Sequence, residues 1–194
     1  MSDIDISEAI EQGRDSRLNA IVATMVALTA TFMALCNVKD GNIGQGMAQA
    51  QASVVDTWSY FQAKSTKQSL AEATVDQLKA LQLVAPADSR AAIAKSIADY
   101  TARAQRYEKE KNEIKAQAEK YQKTYDDLNL HDDQFDLSDA ALSVSIALFG
   151  VTALTKKRWL LGVAFAFMLF GVFFGVAGFA GWSVHPSALM SWLS

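Results

Sequence analysis

A four-three repeat runs from Ile93 to Leu128, and it limits the folds open to this chain more than any other feature. Its members are Ile93, Ile97, Tyr100, Ala104, Tyr107, Lys111, Ile114, Ala118, Tyr121, Tyr125 and Leu128. Alternating steps of four and three form the a/d seam of a coiled coil, kept here for about five heptads. Arg, Lys, Glu, Gln and Asp lie between them, so the other faces are solvated. At 1.5 Å per residue such a helix is a rod of roughly 50–60 Å. A rod cannot bury its seam alone, so it needs a partner helix.

That partner lies upstream. A helical pattern begins near Met47 and carries Val54, Trp58, Phe61, Leu70, Leu78 and Leu81, with a phase shift between Ser65 and Leu70. Ala85-Pro86-Ala87-Asp88-Ser89 interrupts it. Proline disfavours helix at the residue before it, and Asp88 or Ser89 can cap the second helix. Two helices of similar length about a tight turn, at about 47–84 and 88–130, read as an antiparallel hairpin. Trp58 and Phe61 are expected to pack against the seam near the end of the hairpin far from the turn.

The remaining apolar residues are segregated. Mean hydropathy is close to zero and 51% of the residues are apolar, figures that fit a soluble globule. Yet Leu18–Cys36 is 19 residues without a charge, Trp159–Trp182 is 24, and Ala140–Thr155 is 16, extendable back through Leu137. About 20 apolar residues cross a bilayer core, and 17 suffice. All three runs are expected to be transmembrane. A secretory signal peptide is the alternative for the first run, but its apolar core is long for one. Its end at Met33-Ala34-Leu35-Cys36 resembles a lipoprotein cleavage site except for the large Leu35. With one cysteine no intrachain disulfide can form, and Cys36 could cross-link two copies at most.

Basic residues near membrane ends mark the cytoplasmic side. Arg14 and Arg17 precede the first span, and Lys156, Lys157 and Arg158 form the link between the second and third. Both clusters share one side only if the chain crosses at every span. The expected order is a cytoplasmic tail (1–17), a span (18–36) and an extracytoplasmic hairpin region (37–138). A second span (139–155), a cytoplasmic basic loop (156–158), a third span (159–182) and an extracytoplasmic interfacial tail (183–194) complete it. Gly41, Gly44 and Gly46 read as a flexible exit from the bilayer. Asp136 or Ser138 is expected to cap the second span.

Small residues mark packing faces in the spans. Ala164, Gly171, Gly175 and Gly178 share one face of the third span, where lipid gives no hydrophobic push and close backbone approach is what joins helices. The first span repeats the device with Ala20, Ala23, Ala27, Ala30 and Ala34, the second with Ala140, Ser143, Ala147 and Gly150. Packing within one chain accounts for part of this. Three stripes plus a rod with a leftover apolar face point further, to a homo-oligomer.

Reactive chemistry finds little footing. There is no nucleophile elbow, phosphate-binding glycine loop or zinc spacing, and neither catalytic residues nor a cofactor are expected. His131 amid Asp126, Asp127, Asp132, Asp133, Asp136 and Asp139 could ligate a divalent cation, but the spacing is not that of an EF-hand, and a solvated collar is the simpler reading. The seam tyrosines read as core, not as a stacking platform. The lysines and arginines of residues 37–138 are matched by acids, so nucleic-acid binding lacks an electrostatic basis.

Two segments carry a resemblance: Asp15-Ser16-Arg17-Leu18-Asn19, and Asp56-Thr57-Trp58-Ser59-Tyr60-Phe61-Gln62-Ala63-Lys64-Ser65 with its Trp-x-x-x-Gln-x-Lys-Ser core. The chain resembles, over nearly its whole length, an uncharacterised bacterial membrane-protein family, domain of unknown function number 4337. The resemblance implies a bacterial envelope membrane and brings no activity.

The expected architecture is an all-α membrane protein: three transmembrane helices with an extramembrane antiparallel coiled-coil hairpin. The expected role is non-enzymatic, an oligomeric inner-membrane protein whose periplasmic hairpin scaffolds or docks an unidentified membrane or periplasmic protein. The alternatives are a pore subunit lined by Thr24, Thr29, Thr31, Ser143 and Ser145, and an accessory subunit of a membrane enzyme complex. Past Asp139 at the edge of the second span, no span carries a carboxylate, amine or imidazole, which argues against an ion-coupled carrier.

Overall fold

The computed structural model describes residues 3–184, with side chains from Gln12 onward. Three helices account for nearly all of it: α1 (Asp3–Val84), α2 (Ala87–Thr155) and α3 (Arg158–Ala180). All three contain stretches long and apolar enough to cross a membrane. The expected interfacial tail, with Leu189, Met190 and Trp192, lies outside the described residues.

Three expected boundaries change. Gly41, Gly44 and Gly46 do not interrupt α1. Each glycine costs a helix about 1 kcal/mol relative to alanine, a penalty that packing of the same face can outweigh, as at Gly46, where a Cβ would lie 3.2 Å from the Leu128 side chain. Nor do Asp136 and Ser138 cap anything, because α2 passes unbroken from the polar region into the apolar one. At the turn, α2 starts at Ala87, so Asp88 sits within its first turn. There the carboxylate meets the positive end of the helix dipole instead of capping an amide. The connection is closed by Ser89 N–H to Pro86 O at 3.1 Å and by Arg90 Nε to Ala85 O at 3.0 Å.

The chain forms two compact units. One holds residues 47–126, in which the α1 and α2 segments run antiparallel. Gln82 Nε2 donates to Arg90 O near the turn. Further along, Lys64 is ion-paired with Glu110, and the Lys111 ammonium lies 5.9 Å from the Phe61 ring centre. Glu72, Val75, Thr101 and Ala104 line one groove of this pair, and Thr57, Tyr60, Ile114 and Tyr121 line another.

The other unit joins residues 1–46 and 127–194. Near the α2–α3 link, Leu18, Val22, Phe149 and Ala164 make a buried cluster, flanked by Met25, Leu148, Leu161 and Phe165. Phe149 and Phe165 meet edge to face at 5.5 Å, an arrangement the ring quadrupole favours. At the opposite end of α3, Phe135 packs against Phe179 at 5.2 Å and Phe32 against Phe179 at 6.5 Å. Glycine ends α3: Gly181 adopts φ 68°, and Trp182 N–H reaches Ala177 O at 3.0 Å, the left-handed termination that glycine permits.

Candidate functional site

Four groups of residues could carry function, and the paired arms of residues 47–126 are the largest. Ala104 is buried, and Ile93, Ile97, Tyr100, Tyr107, Lys111, Ile114, Tyr121 and Tyr125 are half-buried, while the residues between them are mostly exposed. In the α1 arm, besides the half-buried Met47, Ser53, Ser65 and Thr74, the less exposed positions are Ala50, Val54, Thr57, Phe61, Lys64, Gln68, Ala71, Val75, Leu78 and Gln82. They keep the four-three alternation without a slip. The phase shift expected between Ser65 and Leu70 is absent, because Lys64 and Gln68 occupy inward positions and Leu70 points outward, 68% exposed. Lys64 is suited to its place by Glu110 and by the Tyr107 ring, whose centre lies 5.4 Å from its ammonium. Trp58 sits at the margin and meets Phe61 edge to face at 5.2 Å. Leu128 belongs to the other unit, against Gly46.

The second group is the set of small residues in the spans, which divides cleanly. A Cβ on Gly171 would come within 2.7 Å of Leu142, one on Gly175 within 2.7 Å of Phe32, and one on Gly178 within 2.8 Å of Phe135. The α3 glycine face is therefore filled by side chains of α1 and α2 of the same chain. Ala164 completes it, its carbonyl accepting from Ser145 Oγ at 2.9 Å. Such a bond between apolar helices contributes about 1 kcal/mol. By contrast Ala23 and Ala27 on α1, and Ala147 and Gly150 on α2, are exposed, and nothing lies within 4 Å of a Cβ on Gly150. Cys36 is completely buried beside Ser138, so this fold does not offer its thiol for a cross-link between copies.

The third group is polar and lies just beyond the apolar stretches. Burial, then the charges of Asp40 and Asp136, push the Asp132 carboxyl up to about 6. The Asp132 carboxyl, when protonated, donates to Asp40, whose Oδ1 is buried without a partner. Asp40 and Asp136 are themselves raised, by burial first and by neighbouring carboxylates second. Beside them Gln134 is fully buried. Its Nε2 donates to Trp182 O and Val184 O, both at 2.8 Å, and its Oε1 faces His131 Nδ1 at 3.1 Å. Among the described residues no three His, Cys, Asp or Glu side chains are placed to hold a metal ion. Through Gln134 the cluster ties the end of α3 to α2.

Fourth come the basic residues. Arg14, Lys156 and Arg158 line one cavity together with Asp15. Arg17 and Lys157 are exposed and do not line it.

Gln134, Asp40 and Phe32 carry no sequence signal of a site, and Lys64 stands in the Trp-x-x-x-Gln-x-Lys-Ser segment, which assigns it no role. Only the helix pairing reveals their partners. A family model, described as a domain of unknown function (DUF4337), matches residues 18–181. Comparison with curated proteins and with solved structures returns no match to this chain.

Proposed function

We propose, from the premise that this chain belongs to the DUF4337 family of unknown function, that it is a non-enzymatic membrane scaffold. Its three apolar helices anchor it in a bacterial inner membrane, and residues 47–126 form an antiparallel coiled-coil hairpin on the periplasmic side. That hairpin docks a membrane or periplasmic protein. One observation carries the reading most: the antiparallel arms have a continuous inward seam while large apolar side chains stay outside it. Val55, Tyr60, Leu70, Leu81 and Leu83 are all more than half exposed, which is apolar surface beyond what one hairpin can cover itself. Homo-oligomers form, in this reading, through the exposed Ala23–Ala27 and Ala147–Gly150 faces, since the α3 glycines are already occupied.

The hydroxyls of the spans favour a scaffold over a pore. Thr24 and Thr31 donate to carbonyls of their own helix at 2.8 Å, and Ser145 is buried against α3. Thr29 and Ser145 are buried among the helices of the chain, so neither hydroxyl faces an open path for an ion.

Photo-crosslinking in intact cells tests the proposal. A photoreactive residue at Tyr60 or Leu83 should give discrete adducts of defined mass, and one at Ala147 should give dimers of the chain. Absence of adducts at all three positions, or reproducible conductance from the purified protein in liposomes, overturns it. Topology is checked separately: a periplasm-active reporter fused after Pro86 should give signal, and one at Lys157 should not.

A further inference from the structure

At the end of the membrane unit where α2 gives way to α3, three basic side chains close on one space. Arg14, Lys156 and Arg158, with Asp15, line a cavity of about 410 Å³, large enough for a phosphate and part of its substituent. Arg14 lies four residues before Leu18, where the first apolar stretch begins; Lys156 follows the last residue of α2, and Arg158 is the first of α3. The cavity is thus assembled from two distant parts of the chain, and both border apolar stretches.

The lining is built. Lys156 has φ 57°, a left-handed backbone that residues with a side chain rarely adopt. Its ammonium donates to Asn19 Oδ1 at 2.9 Å and lies 3.9 Å from Asp15 Oδ2, so the α2–α3 link is fastened to the first helix. Three cations face a single carboxylate, which leaves the lining with an excess of two positive charges. Among the described residues Arg14 and Arg158 have no ion-pair partner. Lys157, the residue before α3, gives the first turn no side-chain cap. Trp159 is 66% exposed beside it, and an amphipathic ring of this kind settles at headgroup level.

We propose that this cavity binds the phosphate of an anionic membrane phospholipid, with Arg14, Lys156 and Arg158 as its ligands. Guanidinium groups match a phosphate with paired donors, and basic hollows between membrane helices are where acidic headgroups collect. Asp15 opposes the phosphate charge and accepts from a headgroup hydroxyl. The proposal rests on the apolar helices lying in a bilayer and is independent of any docking role for the arms.

The test uses the full chain in mild detergent and counts bound lipid by native mass spectrometry. Phosphatidylglycerol should be retained roughly tenfold better than phosphatidylcholine. The double variant Arg14→Gln/Arg158→Gln should lose that preference, while Arg17→Gln/Lys157→Gln, which removes as much charge from outside the cavity, should keep it. Asp15→Asn should strengthen retention, which keeps the proposal open to refutation even if the arginine variant fails to fold. Inorganic phosphate is the second probe, read as a shift in melting temperature. Phosphate stabilisation without any phosphatidylglycerol preference would overturn the lipid assignment. Equal retention of the two lipids, or equal loss in both double variants, would overturn the site itself.

Discussion

Gly175 stands so close to Phe32 that a single added carbon would sit 2.7 Å from the ring. The contact joins α3 to α1, and Ser138 Oγ of α2 closes the same spot at 2.9 Å. All three helices of the unit formed by residues 1–46 and 127–194 meet there, which makes it the most direct place to test how they hold together.

Gly175→Ala should lower stability by about 1–3 kcal/mol, the usual cost of overpacking. Gly162→Ala, on the same helix with nothing within 4 Å, should raise it by about 0.5–1 kcal/mol, because glycine is the poorer helix former. Thermal unfolding of the two variants in one detergent reads both signs. If Gly175→Ala is neutral, the three helices do not close at this point.

Charge reversal tests the pairing of the arms. Lys64→Glu places two carboxylates together beside Tyr107, and Glu110→Lys places two ammonium groups there. Each alone should lower the melting temperature, and the two combined should restore most of the loss, since the pair is then reversed and not broken. Independent, additive losses would show that Lys64 and Glu110 are not partners.

Ile114 is half-buried against the groove that contains Thr57 and Tyr60. Ile114→Asp should cost about 1–3 kcal/mol by desolvating a carboxylate. Ala116→Asp, on the exposed side, should cost about 0.7 kcal/mol from helix propensity alone. Circular dichroism melts distinguish them, and equal losses would mean that the seam is not sheltered at this level.

Acid should strengthen the carboxylate cluster. The Asp132 carboxyl is held at about 6 against a usual 3.8, so the folded chain holds this proton more firmly than the unfolded one. Its stabilising effect is complete below the usual value and fades as pH rises from about 4 to about 6. Asp40 and Asp136 shift in the same direction. The protein should therefore melt higher at pH 5 than at pH 7.5, and Asp132→Asn should raise the melting temperature at pH 7.5 and shrink the difference. A higher melting temperature at pH 7.5 than at pH 5 for the unmodified chain contradicts this account.

What the sequence displayed depended on whether inward positions were chemically distinct. From Ile93 to Tyr125 they are Ile, Tyr or Ala with one lysine, against a charged background, so the inward face of that arm could be read directly. In the first arm Thr57, Lys64 and Gln68 take inward places while Leu70 and Leu83 face out, so an apolar count could not find the register. Glycine misled twice. Gly41, Gly44 and Gly46 looked like a break, but a helix braced along one face tolerates them. Gly171, Gly175 and Gly178 announced a close neighbour without naming it, because a glycine requires only that something come near. The Asp40–Asp132 pairing was hidden by distance along the chain, since the two aspartates lie on different helices.

The unbroken alternation in both arms also governs how their length can change. Removing one residue from a helix turns every later residue by about 100°, which would carry Val75 and Leu78 out of the interface. Removing seven turns them by only about 20°, and the seam survives if the opposite arm loses seven as well. Arm length is thereby quantised in steps of about 10 Å, each a matched pair of deletions or insertions. Relatives with longer or shorter arms should differ by whole steps, so their lengths can be counted in sevens.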